Sequence, residues 1–209
     1  MSGKRDHIIQ IASELVYFKG FNNTSVDDVL QKSGVKKGNF YFYFKSKEEL
    51  GFAVLECHLE RLRRQFFLPA VESDNPPLEK LLRIFDGMEA RLTETDFHGG
   101  CPFGNMALEL SDIHEGFRAK LQAVFREMVD IFYQLLLEAS AEFREEVDLH
   151  EVSQMLVAGL EGAIMLSKVN REIGPMRNCT KQLKGYLAAL RCGSDRSAGG
   201  GVVDGGTLQ

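Results

Sequence analysis

Between Lys36 and Tyr43 the chain sets out Lys36, Lys37, Asn39, Tyr41 and Tyr43, a dense run of hydrogen-bonding side chains. Lysine donates to guanine acceptors and asparagine pairs with adenine. Tyrosine hydroxyls reach phosphates or bases while their rings cover sugars and methyl groups. Gly38 removes a side chain where backbone could approach a phosphate closely. The bland alternative for each lysine is a solvated surface charge.

These residues need a short, anchored helix to carry them. From Lys4 to Lys19 the apolar positions Ile8, Ile11, Ala12, Leu15 and Phe18 follow one helix face, and Gly20 stops it. Ser25 can cap a second helix, with Asp28 returning the bond as a capping box and Val26, Val29 and Leu30 as its inner stripe. Ser33-Gly34 ends that helix after about two turns. A third helix is predicted over about 36–43, anchored by Phe40 and Phe44, and Ser46 to Glu49 is a second capping box that opens a fourth helix toward Phe67. Two short helices across a tight glycine turn are a helix-turn-helix signature.

Charge supports a nucleic-acid partner for this end alone. The whole chain carries −5. Residues 1–47 hold eight Lys and Arg against four Asp and Glu, a surplus of +4 that leaves −9 on the remainder. A basic segment set against an acidic body is an electrostatic footprint.

The run from Thr24 to Val29, followed by Gly34-Val35-Lys36-Lys37-Gly38-Asn39-Phe40-Tyr41-Phe42-Tyr43-Phe44-Lys45-Ser46-Lys47-Glu48-Glu49-Leu50, resembles the DNA-binding domain of the TetR family of bacterial transcriptional regulators. The resemblance covers roughly residues 5–55 and includes the Gly20-Phe21 pair. It implies that the second helix of the motif enters the major groove, with base or backbone contacts from Lys37, Asn39, Tyr41 and Tyr43. Lys36 and Gly38 join this candidate set. Thr24, Ser25 and Lys47, at helix N-termini, would hold phosphates.

Past residue 55 the pattern is helical throughout, with no strand signal and no repeat. Pro69 and Ser73 to Pro77 break it, Thr95 to Gly100 is looser, and a modest helix spans about 103–110. A long amphipathic helix runs from Phe117 to Leu136, Asp148 caps another through about Arg171, and Gly174-Pro175 separates it from a last helix ending near Arg191. Residues 193–209, with six glycines in seventeen positions and no periodicity, read as a disordered tail. The fold class is therefore all-α. A three-helix helix-turn-helix domain over 1–47 precedes a larger ligand-binding and dimerisation domain over 48–192.

The resemblance implies an effector pocket among the central helices, leaning on helix four. Candidates are Phe66, Phe85, Met88, Cys101, Phe103, Met106, Phe125, Met128 and Phe132, although aromatics at helical spacing are usually core. Gly99 to Asp112 is similar to an element of a subset of these regulators, some of which sense electrophiles or oxidants through a cysteine. A helix N-terminus at Cys101 would lower its thiol pKa, and an inert residue at a turn is the competing reading. Ala158 with Gly162, and Gly159 with Ala163, put small residues on one helix face. With Met155, Leu183 and Leu187 they are candidates for the family's four-helix dimer interface, against a purely intramolecular contact.

The chain has no GxSxG, HExxH, GxxxxGK[ST] or strand-linked GxGxxG, and its four cysteines and five histidines are scattered without ligand spacing. No enzyme, cofactor or metal is expected. The longest apolar run is a few residues and the N-terminus lacks a signal-peptide pattern, so the expectation is a cytoplasmic protein without a membrane partner. The function expected is a ligand-responsive regulator, a homodimeric repressor released from a near-palindromic operator by a small effector. The alternatives are a thiol-based sensor using Cys101 and a helical interaction protein that does not bind DNA.

Overall fold

The computed structural model describes residues 3–192. Among them it is helical, with one isolated antiparallel bridge, Phe143 to Arg191, and no strand. The tail expected over 193–209 lies outside the described residues.

Helix α1 (Lys4–Lys19) ends at Gly20, whose φ of 87° is reached without strain only by glycine. Helix α2 (Val26–Ser33) starts on the predicted capping box. Ser25 Oγ accepts from the Asp28 N–H at 3.0 Å and the Asp28 carboxylate accepts from the Ser25 N–H at 2.8 Å. Gly34 closes it in the left-handed region, at φ 67°. Helix α3 (Lys37–Tyr43) is held by Phe40 and Phe44, both fully buried with ring centroids 5.7 Å apart. Each buried aromatic of this kind contributes about 1.5–3 kcal/mol.

Helix α4 (Lys47–Leu62) packs along α1 and closes the head. Its second capping box is only half formed: Ser46 Oγ accepts from the Glu49 N–H, but the Glu49 carboxylate reaches the Lys45 N–H instead. The helix does not run unbroken to Phe67. A π-helical turn, Arg63–Phe67, leads into α5 (Leu68–Val71), and Phe66 nestles over Gly87, where an added Cβ would stand 2.9 Å from its ring. The turn is tied down by Arg63, which donates to both carboxylate oxygens of Glu127 at 2.6 Å.

Four further long helices and one short helix complete the body: α6 (Pro77–Glu94), α7 (Pro102–Leu110), α8 (Glu115–Glu138), α9 (Leu149–Asn170) and α10 (Gly174–Ala189). Gly174-Pro175 begins α10 rather than lying in the connection, since proline's missing N–H costs nothing in a first turn. The core of the body forms where α6, α9 and α10 pack together and onto α8, and α7 bridges α8 to the head.

Helix α9 is long and apolar enough, by length and composition, to cross a membrane, a property its short apolar runs conceal. Its inner face, including Val152, Leu156, Leu160 and Ala163, is buried within the fold. Met155, Met165, Leu166 and Val169 remain exposed on the other side.

Candidate nucleic-acid interface and central cavity

Lys36, which precedes α3, and Lys37, Gly38, Asn39 and Tyr41 on the helix are exposed to solvent, with Tyr43 half-buried at its end. Phe42 is 73% exposed, an apolar ring on the same helix that reasoning from hydrogen-bonding types passed over. Its ring is held edge-on to Tyr43, with centroids 5.0 Å apart. Its position one residue after Tyr41, outside the Phe40–Phe44 anchor spacing, was the available signal.

Lys47 lies at the first turn of α4. Its Nζ donates to the Asn22 carbonyl at 3.3 Å and sits 4.6 Å above the Phe21 ring, so the ammonium is pinned beside the α1–α2 turn. Ser25 is exposed next to it. Thr24 does not fit the phosphate role given to its side chain. It is buried, and its Oγ1 donates to the Gly20 carbonyl at 2.8 Å, which makes it a fastener of the turn.

The second feature is a cavity of about 470 Å³, partly open to solvent and lined by the head and the body together. Helix α1 contributes Ile11, Ser13, Tyr17 and Phe18, and α4 contributes His58, Arg61 and Leu62. Phe66, Met88, Arg91, Leu92, Cys101, Phe103, Met128, Glu161 and Ile164 complete most of the wall. Five of the candidates, Phe66, Met88, Cys101, Phe103 and Met128, therefore meet here. Phe85, Met106, Phe125 and Phe132 do not. Phe85 and Phe132 pack edge-to-face at 6.1 Å in the body core, Met106 is buried on α7, and Phe125 packs against the core from α8. The polar wall residues Ser13, Tyr17, His58, Arg91 and Glu161 were missed because their spacing marks no helix face.

Cys101 caps α7, its Sγ accepting from the Gly104 N–H at 3.4 Å. The fall in thiol pKa that a helix N-terminus alone would give does not follow, in line with the competing reading of an inert residue at a turn. Burial, reinforced by the neighbouring Glu161 carboxylate, pushes the thiol well above its usual value, and the helix N–H groups oppose this only weakly. Burial likewise raises the Glu161 carboxyl. His58 is pushed the other way, down to about 4, by burial and by the nearby Arg61 charge.

Among the dimer candidates, Gly159, Ala163, Leu183 and Leu187 face into the subunit. An added Cβ on Gly159 would stand 3.3 Å from Leu183, and Ala163, Leu183 and Leu187 are buried. Close packing of α9 on α10 accounts for this small-residue pair. Met155, Ala158 and Gly162 lie instead on the outer stripe of α9 with Met165, Leu166 and Val169, and an added Cβ on Gly162 would meet nothing.

Residues 8–54 match the family described as bacterial regulatory proteins, tetR family, and residues 77–182 match the C-terminal domain described as transcriptional regulator LmrA/YxaF-like. The chain belongs to the TetR family. It is a helix-turn-helix transcriptional regulator and not an enzyme. The transcriptional regulator AcuR of Cereibacter sphaeroides is 31% identical over 180 residues, 83% of this chain and 80% of that protein. The HTH-type transcriptional repressor DhaR of Mycobacterium sp. strain GP1 is 28% identical over 174 residues, 82% of this chain and 86% of its own. A TetR regulator from Chloroflexus aurantiacus superposes with a TM-score of 0.82 at 25% identity, covering 90% of this chain and 96% of that one.

Proposed function

We propose that this regulator is a homodimeric, cytoplasmic repressor that leaves its operator when a small molecule occupies the central cavity. The observation that carries this reading is the wall of that cavity, to which α1 of the head contributes more residues than any single body helix. An occupant that changes the spacing of α1, α4 and α6 must tilt the head on the body, because a close-packed interior transmits such shifts rather than absorbing them.

In this reading residues 1–47 form the reading head and 48–192 the sensing and pairing domain. Lys37, Asn39, Tyr41 and Tyr43 face the major groove. Lys36, Gly38, Ser25 and Lys47 face phosphates. The outer α9 stripe of Met155, Ala158 and Gly162 meets its copy across a two-fold axis. Two heads then read half-sites roughly 34 Å apart or a multiple of it. The raised thiol of Cys101 argues against the oxidant-sensing alternative.

The test is a gel shift of the full chain on DNA upstream of its own coding region, with the parent compared to Ile164→Trp. Ile164 lines the cavity, so the larger ring partly fills it. Salt-sensitive binding by the parent and a changed operator affinity in the folded variant support the reading. Unchanged affinity would remove the coupling between cavity and head, and the absence of any DNA complex would remove the repressor itself.

A further inference from the structure

Two residues of the cavity wall stand out because each carries a buried polar atom without a hydrogen-bond partner. The atoms are Ser13 Oγ on α1, where Ser13 is 0% exposed, and His58 Nε2 on α4, where His58 is 7% exposed. A serine inside a helix ordinarily bonds back to the carbonyl one turn earlier, and this one does not. The two residues are neighbours, since the Ser13 backbone carbonyl comes within hydrogen-bonding reach of the His58 imidazole, although Nε2 itself makes no bond. Around them the wall is ring and hydrocarbon. Tyr17 and Phe103 lie with ring centroids 6.0 Å and 6.4 Å from the imidazole, and Ile11 and Leu62 belong to the same lining.

An unsatisfied buried polar atom costs stability, and a native fold keeps such atoms where something else uses them. Here the user is whatever enters the cavity. We propose that Ser13 and His58 are the ligand-contacting residues of this site, and that its ligand is uncharged and largely apolar, with a hydroxyl or carbonyl oxygen at its buried end. The assignment rests on the reading of this cavity as the effector site.

Charge at the inner end decides against an anion. Burial holds the imidazole pKa down to about 4, which keeps it neutral near pH 7, and Glu161 supplies a carboxyl on the same wall. The cavity's two guanidinium groups, Arg61 and Arg91, are on residues exposed to solvent. Both act on the His58 imidazole through space, but a carboxylate driven in beside Ser13 would lose more hydration than guanidinium groups kept on exposed residues return. A neutral oxygen faces no such cost, and Ser13 Oγ can donate to it while the imidazole accepts from a hydroxyl or donates to a carbonyl, according to its tautomer.

The experiment titrates the full chain with three probes on one carbon skeleton: tetralin, 2-tetralol and tetralin-2-carboxylate. The alcohol is expected to bind about tenfold more tightly than the hydrocarbon, as one net hydrogen bond allows, and the carboxylate more weakly than either. Ser13→Ala and His58→Leu should each bring the alcohol down to the affinity of tetralin, which they leave in place. Ser13→Ala should also raise the Tm of the unliganded protein, because it deletes a buried hydroxyl that bonds to nothing. A purely structural serine would give the opposite sign. The proposal is overturned by an alcohol no tighter than tetralin, by a preferred carboxylate, by no binding of any probe, or by a lowered Tm in Ser13→Ala. Release of operator DNA by 2-tetralol is a separate measurement. Binding without release leaves this assignment standing and removes the repressor-release reading alone.

Discussion

The Glu109 carboxylate near the end of α7 accepts from the backbone N–H of Asn22 at 2.8 Å and from that of Phe21 at 3.2 Å, across almost ninety residues of chain. It caps the turn between α1 and α2 from outside the head. The same helix begins with Pro102 and Phe103, which with its cap Cys101 lie in the cavity wall. Helix α7 thus joins the cavity at one end to the helix-turn-helix at the other. The Asn22 carbonyl in turn receives Lys47 Nζ, so the clamp reaches α4 as well.

Glu109→Ala removes two hydrogen bonds to a charged acceptor, each worth about 1.5–3 kcal/mol in such settings. The expected outcome is a lower Tm and a loss of operator affinity on the order of tenfold, with Glu109→Gln intermediate because it keeps one acceptor oxygen. Unaltered operator affinity in a folded Glu109→Ala protein would show that the turn holds its shape without the clamp.

Thr24 and Lys47 lie close in sequence to the α2 and α4 termini, yet the structure gives them different work. Lys47→Ala should weaken DNA binding and reduce the slope of log affinity against log salt by about one, the mark of one lost phosphate contact. Thr24→Val removes the bond to the Gly20 carbonyl while keeping the shape, so it should cost about 1 kcal/mol of stability. Its salt slope should match the parent's. A shallower slope in Thr24→Val would restore the phosphate role that its burial denies it.

The parts of this molecule that could be read from sequence are those fixed by near neighbours. Ser25 with Asp28, Gly34 after α2, and Phe40 with Phe44 are each local devices, and the structure forms all of them. The cavity is not local. Phe66 and Phe85 are both aromatics at helical spacing, yet Phe66, within the π-helical turn Arg63–Phe67, lines the cavity while Phe85 stays in the core. Ser13 and His58 are single polar residues on otherwise apolar faces, and their meaning appears only when α1 and α4 are brought together. Glu109 has no recognisable partner until the fold places Asn22 beside it.

Cys101 and Cys192 should separate cleanly in a thiol-labelling experiment. Cys192 is exposed, whereas the Cys101 thiol is held well above its usual pKa by burial beside Glu161. Thiolate is the reactive form, so at pH 7.5 iodoacetamide should modify Cys192 first and leave Cys101 largely intact in the folded protein. Mass mapping of the labelled chain reads the order directly. Rapid modification of Cys101 under these conditions would return the oxidant-sensing alternative to consideration.

The buried imidazole of His58 sets a pH dependence whose sign can be worked out. Its pKa in the fold is about 4, against 6.5 for a free histidine. Between these values the unfolded chain binds a proton that the folded chain refuses. Stability therefore rises with pH across this window and falls on acidification from about pH 6.5 toward 4. At about 1.4 kcal/mol per pKa unit the full loss is on the order of 3 kcal/mol. Urea unfolding of the parent and of His58→Leu at pH 7 and pH 5 isolates the contribution. The parent should lose more stability than the variant between the two, by about 2 kcal/mol at pH 5. Equal losses would mean that the imidazole takes up its proton inside the fold, and with it that the cavity end is more polar than its lining of rings and hydrocarbon implies.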